Sequence, residues 1–314
     1  MKKIKLTTAV LAALTLTGSA LGGASISAEE STKMTYSLPI KLLYNARQLP
    51  SDVQPENVNG TTLVPLRVVS DKLGGDLTLT GKNISIVKGK STLALTIGAS
   101  TATINGITTK LSVPVKVVKG RTLVPLRVVS EGLGVAVEWD AVNQFVWIGN
   151  KDVPKLEDAI KPEDIKPYAH YYAKDPYFLK NFLSEGDKPF TTARVVTQQD
   201  FPLIISGDIY YRMDLARDPK GRTYTRASTT DKGVMGRTFL FLQTGEHVKV
   251  RGEVNYYREN IGKELRIHYN DVVSKDDFWN LGIKDYEKLS MRSIEYIDIY
   301  ADSDAKILFK NPWR

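Results

Sequence analysis

Apolar residues recur along this chain with two different periods. In the first half the string Thr-Leu-Val-Pro-Leu-Arg-Val-Val-Ser occurs twice, at residues 62–70 and 122–130, residue for residue and 60 positions apart. Within it Leu66, Val69 and Leu73, and again Leu126, Val129 and Leu133, fall at the i, i+3, i+7 spacing of one helical face. Each copy therefore predicts a strand that runs directly into a short helix whose apolar stripe is core. Pro65 and Pro125 suit the first helical turn, where a missing N–H is harmless, and Gly74 and Gly134 suit the left-handed position that ends a helix. A β-rich segment follows each helix, with turn chemistry at residues 81–83 in the first copy and 140–143 in the second.

In the second half the period shortens to two. Ile209, Tyr211, Met213 and Leu215 alternate with Asp208, Tyr210, Arg212 and Asp214, and Leu265, Ile267 and Tyr269 alternate with Arg266, His268 and Asn270. Half-buried strands are expected there, with the first-named set inward. Further strands are expected at 193–197, 238–243, 247–257, 294–300 and 306–309, a turn at 218–221, a capped helix over 177–183, and another after Ser274 and Asp277. Residues 150–167, rich in Lys, Asp, Glu and Pro, read as a linker. The expected organisation is 38–149, a duplicated strand/helix/hairpin module; 150–167, the linker; and 168–314, a mostly antiparallel β domain with short helices. The fold class is α+β.

The duplicated Val-Pro-Leu-Arg, the Leu-Gly that follows, and Val137-Glu138-Trp139-Asp140 before a last strand resemble the stalk domain first named for the N-terminal part of copper amine oxidases. The resemblance covers residues 38–149 and implies a small α+β module found in secreted proteins of Gram-positive bacteria, joined to varied partner domains and without an activity of its own. One departure stands out: the first copy has Leu79-Thr80 where the second has Trp139-Asp140.

The N-terminus places Lys2, Lys3 and Lys5 before an apolar run at 9–21 and small residues up to Ala28, the order of a signal peptide cleaved after residue 28. The run is shorter than the ~20 residues that span a bilayer, so no membrane span is expected after cleavage. The mature chain is expected to be secreted, or held non-covalently at the cell wall. Cysteine is absent, which removes disulfides, thiolate metal sites and a cysteine nucleophile. The formal charge of +8 includes the three N-terminal lysines; residues 29–150 hold 13 Lys and Arg against 9 Asp and Glu, and 151–314 hold 27 against 26. That balance suits contact with anionic wall polymers but lacks the dense basic stripe of a nucleic-acid binder.

Candidate chemistry is sparse. Arg67 and Arg127 offer guanidinium forks to a carboxylate or phosphate, although a structural ion pair or cap explains a repeated arginine equally simply. Thirteen of the 15 tyrosines follow residue 167, in pairs that include Tyr171-Tyr172, Tyr210-Tyr211 and Tyr256-Tyr257. On a strand each pair sends one ring to each face, so Tyr210 and Tyr256 are candidate ligand contacts beside ordinary strand propensity. Asn255-Tyr256-Tyr257 departs at its third residue from the cofactor site of copper amine oxidases, and His170, His247 and His268 lack the close spacing of a copper site. No cofactor or metal is expected. Asp302-Ser303-Asp304 reads as a polar turn, and Ser206-Gly207 as part of a strand, without a nucleophile motif around it. Asp276 with Asp277, or Glu253 with Glu259, are the carboxylate pairs a glycosidase would need. The sequence thus favours a secreted, non-catalytic binding protein for a cell-wall polymer or an extracellular protein, the alternative being a wall or glycan hydrolase using a carboxylate pair.

Overall fold

The repeated string builds the centre of the N-terminal half. In the computed structural model, which describes residues 33–181, 188–230 and 238–314, the strands Thr61–Pro65 and Arg121–Pro125 run straight into helices α1 (Leu66–Leu73) and α2 (Leu126–Leu133). The two strands pair antiparallel with Val64 opposite Val124, the same position of each copy, so a pseudo-twofold axis passes between them. Pro65 and Pro125 sit one step earlier than expected, as N-caps whose ψ of 113° and 125° is still strand-like. Gly74 and Gly134 end the helices at φ 69° and 65°, which a side chain would strain. The predicted faces are buried: Leu66, Val69, Leu73, Leu126, Val129 and Leu133 share one core with Ile84, Ile86, Leu93, Val146 and Ile148. Each such side chain contributes roughly 1.5–3 kcal/mol by leaving water.

Each helix hands over to a hairpin, but the two hairpins join different sheets. Asp76–Thr80 and Asn83–Lys88 continue through Ser91–Thr96, Thr101–Ile104 and Ile107–Lys110 into a five-stranded antiparallel meander. Val137–Asp140 and Phe145–Ile148 instead accept Lys41–Tyr44 in parallel, with Arg47–Gln48 beyond it.

The C-terminal half is mostly β, as expected, with few short helices. One sheet is antiparallel and runs Leu203–Ile205, Asp208–Arg217, Thr223–Thr230, Leu265–Asp271 and Glu259–Ile261. The other runs Glu163–Asp164, Thr192–Val196, Lys306–Lys310, Tyr296–Tyr300, Thr238–Leu242 and Lys249–Arg251, antiparallel except where Thr192–Val196 meets Lys306–Lys310. Val196, Phe201, Met213, Phe239, Phe241, Ile297 and Phe309 fill one core of this half.

Several expectations change here. Residues 150–167 are folded: Leu156 starts a helical turn, Leu156–Ala159, and is fully buried, while Glu163–Asp164 is an edge strand. Apolar residues among the charges explain the burial, since a charged segment with a Leu or Ile every few residues can still lie on a core. The helix expected over 177–183 is a 3-10 turn, Pro176–Leu179, passing into strand Lys180–Asn181, and its remainder lies outside the described residues. The strand expected over 247–257 is confined to Lys249–Arg251, and Asn255–Tyr257 is a 3-10 turn. Ser206-Gly207 is not strand but a hairpin turn, both residues at positive φ. Residues 1–28 lie outside the described residues, and among the described residues no helix is long and apolar enough to cross a membrane.

The strand Asp208–Arg217 departs most from its pattern. A bulge between Tyr210 and Arg212 resets the alternation, so Tyr210 and Met213 face the core while Arg212, Asp214 and Ala216 are buried on the opposite face. That opposite face packs on the N-terminal half. Arg212 donates through Nη1 to the carbonyl of Asn143, and its Nε and Nη2 meet both oxygens of Asp214 at 2.6 and 2.9 Å. Ser228 donates to Asn143 Oδ1 at 2.6 Å, and Gln48 bonds the carbonyls of Gln198 and Phe201. Thr32–Arg314 accordingly forms one compact unit.

Candidate functional site

A short N-terminal segment completes the C-terminal half. Met34 is buried with Ala216, Tyr224, Ile267 and Tyr269, and Thr35 exchanges two backbone hydrogen bonds of 2.8 Å with Arg217, adding a bridge to the open end of that strand. From there the chain leaves to build residues 40–149 and then returns. Thr35, Tyr36 and Ser37 thereby become one wall of a cavity of about 980 Å³.

The opposite walls come from turns that the sequence places well. Asp218 closes the turn after Asp208–Arg217 by accepting from the backbone N–H groups of Lys220 and Arg222 and from Arg222 Nε at 2.7 Å. Burial works against its charge, but the Arg222 and Lys220 hydrogen bonds outweigh it and hold Asp218 below the usual carboxylate range. Asp271 ends the neighbouring strand in the cavity wall; burial pushes its carboxyl up, against the opposing pull of Arg222 and Arg251. Lys275, Tyr286, Glu287, Arg292 and Trp313 close the far side. The walls thus carry four cations, Arg217, Arg222, Lys275 and Arg292, against two carboxylates, Asp271 and Glu287, with the rings of Tyr36, Tyr286 and Trp313 between them. Outside the walls, on the helix that follows Lys275, Phe278 and Trp279 are exposed and meet edge to face at 5.2 Å. Such a surface offers stacking planes and cationic donors to a sugar-bearing anion.

The residues picked out from sequence lie elsewhere. Arg67 and Arg127 are exposed on α1 and α2, and among the described residues neither guanidinium has a hydrogen bond or an ion pair. Tyr210 is 2% exposed, inside the core, so its ring is closed to a macromolecular ligand. Tyr256 is 72% exposed, but on the Asn255–Tyr257 turn rather than a strand, its ring tilted at 49° against that of Tyr257. Tyr171 and Tyr172 lie in a 3-10 turn and are both buried, so strand geometry sorts only the Tyr210-Tyr211 pair.

Three of the four acids considered as glycosidase pairs are engaged, and the fourth, Asp276, is exposed. Asp277 is held by Arg251 at 2.8 and 2.5 Å, with both side chains buried, and so is an ion-pair partner rather than a helix cap; Ser274 Oγ takes the capping role towards Asp276 N. Glu259 accepts from Tyr269 Oη at 2.5 Å. Glu253 accepts from Arg258 and from His268 Nδ1, and these bonds overcome its burial and bring its carboxyl down to about 2. His268 Nε2 in turn meets Thr229 Oγ1 at 2.7 Å. Carboxylate, imidazole and hydroxyl so arranged resemble a nucleophile relay, a constellation no local motif announces because its members are 15 and 39 residues apart. Thr229 is 4% exposed within a strand paired on both sides, so the line of bonds braces the sheet.

The histidines have separate partners as well: His170 meets Thr244, His247 meets Asp175, and His268 meets Glu253 and Thr229. Among the described residues no group of three or more His, Asp or Glu side chains is placed to hold a metal ion, and these residues do not fit a copper site. Asp302-Ser303-Asp304 is a turn whose Asp304 pairs with the buried Arg194.

Residues 43–148 match the family model of the copper amine oxidase N-terminal domain. No curated protein matches the chain significantly.

Proposed function

Taking residues 43–148 as a copper amine oxidase N-terminal domain, we propose that the chain is an exported binding protein of the cell envelope, in which that domain acts as a stalk bracing a β-rich recognition half. The ligand is an anionic, sugar-containing wall polymer, bound in the cavity between residues 35–37 and the end of the Asp208–Arg217 sheet. The observation that carries this reading is the cavity itself: about 980 Å³, with four cationic side chains against two carboxylates and three aromatic rings. Cations around a concave surface raise the local concentration of a polyanion, and exposed aromatic rings give sugar faces something flat to cover.

The test is co-sedimentation of the full exported chain with isolated walls at low and high salt, beside Lys275→Gln and Arg292→Gln. Both residues are exposed and line the cavity. Binding is expected to weaken about 10-fold in the double variant with melting unchanged. Equal pelleting of variant and parent sinks the cavity as the site.

A second reading is favoured by Asp271, whose burial raises its pKa in a cavity wall, as suits a general acid. Under it the protein cleaves the polymer. Release of soluble fragments that Asp271→Asn abolishes would decide for the hydrolase and against the non-catalytic reading.

A further inference from the structure

The seam between the two halves holds more buried positive charge than its neighbours neutralise. Arg212 and Arg226 are both fully buried, and Lys41, on the strand Lys41–Tyr44, brings a third cation within electrostatic reach of Arg212 and Asp214. The carboxylate among them is Asp214, and Arg212 takes both of its oxygens. Arg226 Nη1 stands 4.0 Å from Asp214, beyond hydrogen-bond reach. Arg226 Nε and Nη1, and Lys41 Nζ, are buried without a hydrogen-bond partner. Neither Glu259 nor Asp140 accepts from Lys41 or Arg226: Glu259 accepts from Tyr269, and Asp140 from the backbone N–H groups of Val142 and Asn143 and from the Asn143 side chain.

A buried donor left without an acceptor is costly, and an uncompensated buried cation more so. The strain on Lys41 is visible: burial, then Arg212, brings its amine down to about 8, with Asp214 pulling the other way. What would relieve the group is a compact, acceptor-rich negative ion. A macromolecular anion is too large, since both arginines are fully enclosed.

We propose that Lys41 and Arg226 form a binding site for a small inorganic oxyanion, of the phosphate or sulfate class, that fastens the N-terminal half to the C-terminal sheet. Lys41 Nζ and the Nε and Nη1 of Arg226 donate to it, and the ring of Tyr36, 4.4 Å from the Arg226 guanidinium carbon, covers the guanidinium face. Arg212 contributes charge without a free donor, because its hydrogen bonds go to Asp214, Asn143 and Pro39. The ion is structural and separate from the polymer cavity, whose cations are Arg217, Arg222, Lys275 and Arg292.

The experiment is thermal unfolding of the full exported chain in rising inorganic phosphate, with chloride adjusting ionic strength and sulfate as a parallel arm. Phosphate is expected to raise the melting temperature saturably by about 3–8 °C. The rise should vanish in Lys41→Met and shrink in Arg226→Lys, while Lys275→Gln with Arg292→Gln keeps it. Equilibrium dialysis should find one phosphate per chain, lost in Lys41→Met. A rise that survives Lys41→Met but disappears in the Lys275/Arg292 variant would place the anion in the cavity and overturn the proposal. So would equal stabilisation by chloride, or no stabilisation by any anion, which would leave water as the partner of these donors. Should Arg226→Lys fail to fold, Lys41→Met with the dialysis measurement decides alone.

Discussion

The two hairpins of the duplicated module began as the same structure and now face different surroundings. Matched through their strand pairings, Asn83 and Ser85 of the first stand where Phe145 and Trp147 stand in the second. Asn83 and Ser85 are exposed, whereas Phe145 and Trp147 are buried with Leu43, Ala46, Val153 and Tyr211. The second hairpin also has a longer turn, in which Asp140 holds Val142 and Asn143 so that Asn143 meets Arg212 and Ser228. One repeat kept a free outer face and the other became a docking surface. The Leu79-Thr80 against Trp139-Asp140 departure is the visible trace of that division, with Leu79 half exposed and Asp140 ordering the docking turn.

The largest test of this contrast gives the second hairpin the first one's residues. Phe145→Asn with Trp147→Ser should cost at least about 5 kcal/mol in urea unfolding, since each removes a buried aromatic ring. The reciprocal Asn83→Phe with Ser85→Trp should leave stability nearly unchanged and lower solubility instead. Equal losses in both directions would mean that the free hairpin is not free. Arg212→Met comes next, at about 3–5 kcal/mol, because it strands a buried Asp214 and the Asn143 carbonyl. The same change should accelerate proteolysis between the halves.

Acid should separate the halves more gently. Glu253 is brought down to about 2 from an ordinary 4.5, so its contribution is fully present above 4.5 and lost as pH falls towards 2. About 2–3 kcal/mol should disappear from the C-terminal sheets in that window, readable by hydrogen exchange strand by strand. In the N-terminal half the depressed Asp52 is exposed beside Arg121, so its strands should keep their protection longer. Loss of protection in the repeats first would contradict this assignment. The smallest effects belong to Arg67→Ala and Arg127→Ala, each within about 0.5 kcal/mol in thermal melts, because neither exposed guanidinium has a partner among the described residues.

These particulars show why some of the molecule was legible in advance. Helices α1 and α2, their glycine ends and their buried stripes follow from spacing and backbone chemistry within nine or ten consecutive residues. The Asp218 turn was readable for the same reason: the backbone hydrogen bonds that close it run between Asp218 and residues 220–222, although Tyr224 and Tyr257 also donate to the Asp218 carboxylate. The strand Asp208–Arg217 was readable as a strand, and Met213 and Leu215 face inward as the alternation implies, but the bulge between Tyr210 and Arg212 reverses the face of the residues before it. Tyr210, chosen for the surface, lies in the core as a result. The cavity was invisible for a stronger reason: its walls come from residues 35–37, 215–217, 221–223, 271–273, 275, 286, 287, 289–292 and 313, four separate stretches of the chain and its end.

By itself the sequence determined the duplication, the two strand-helix units, the β character of the C-terminal half and the resemblance that residues 43–148 bear out, all set by local spacing and backbone chemistry. Tertiary structure alone decided that the second hairpin docks, that the N-terminal segment completes the cavity, and that three cations meet around one carboxylate at the seam. Pairing between distant strands brings these groups together, and burial gives them their energetic weight; neither is written in the spacing of neighbouring residues.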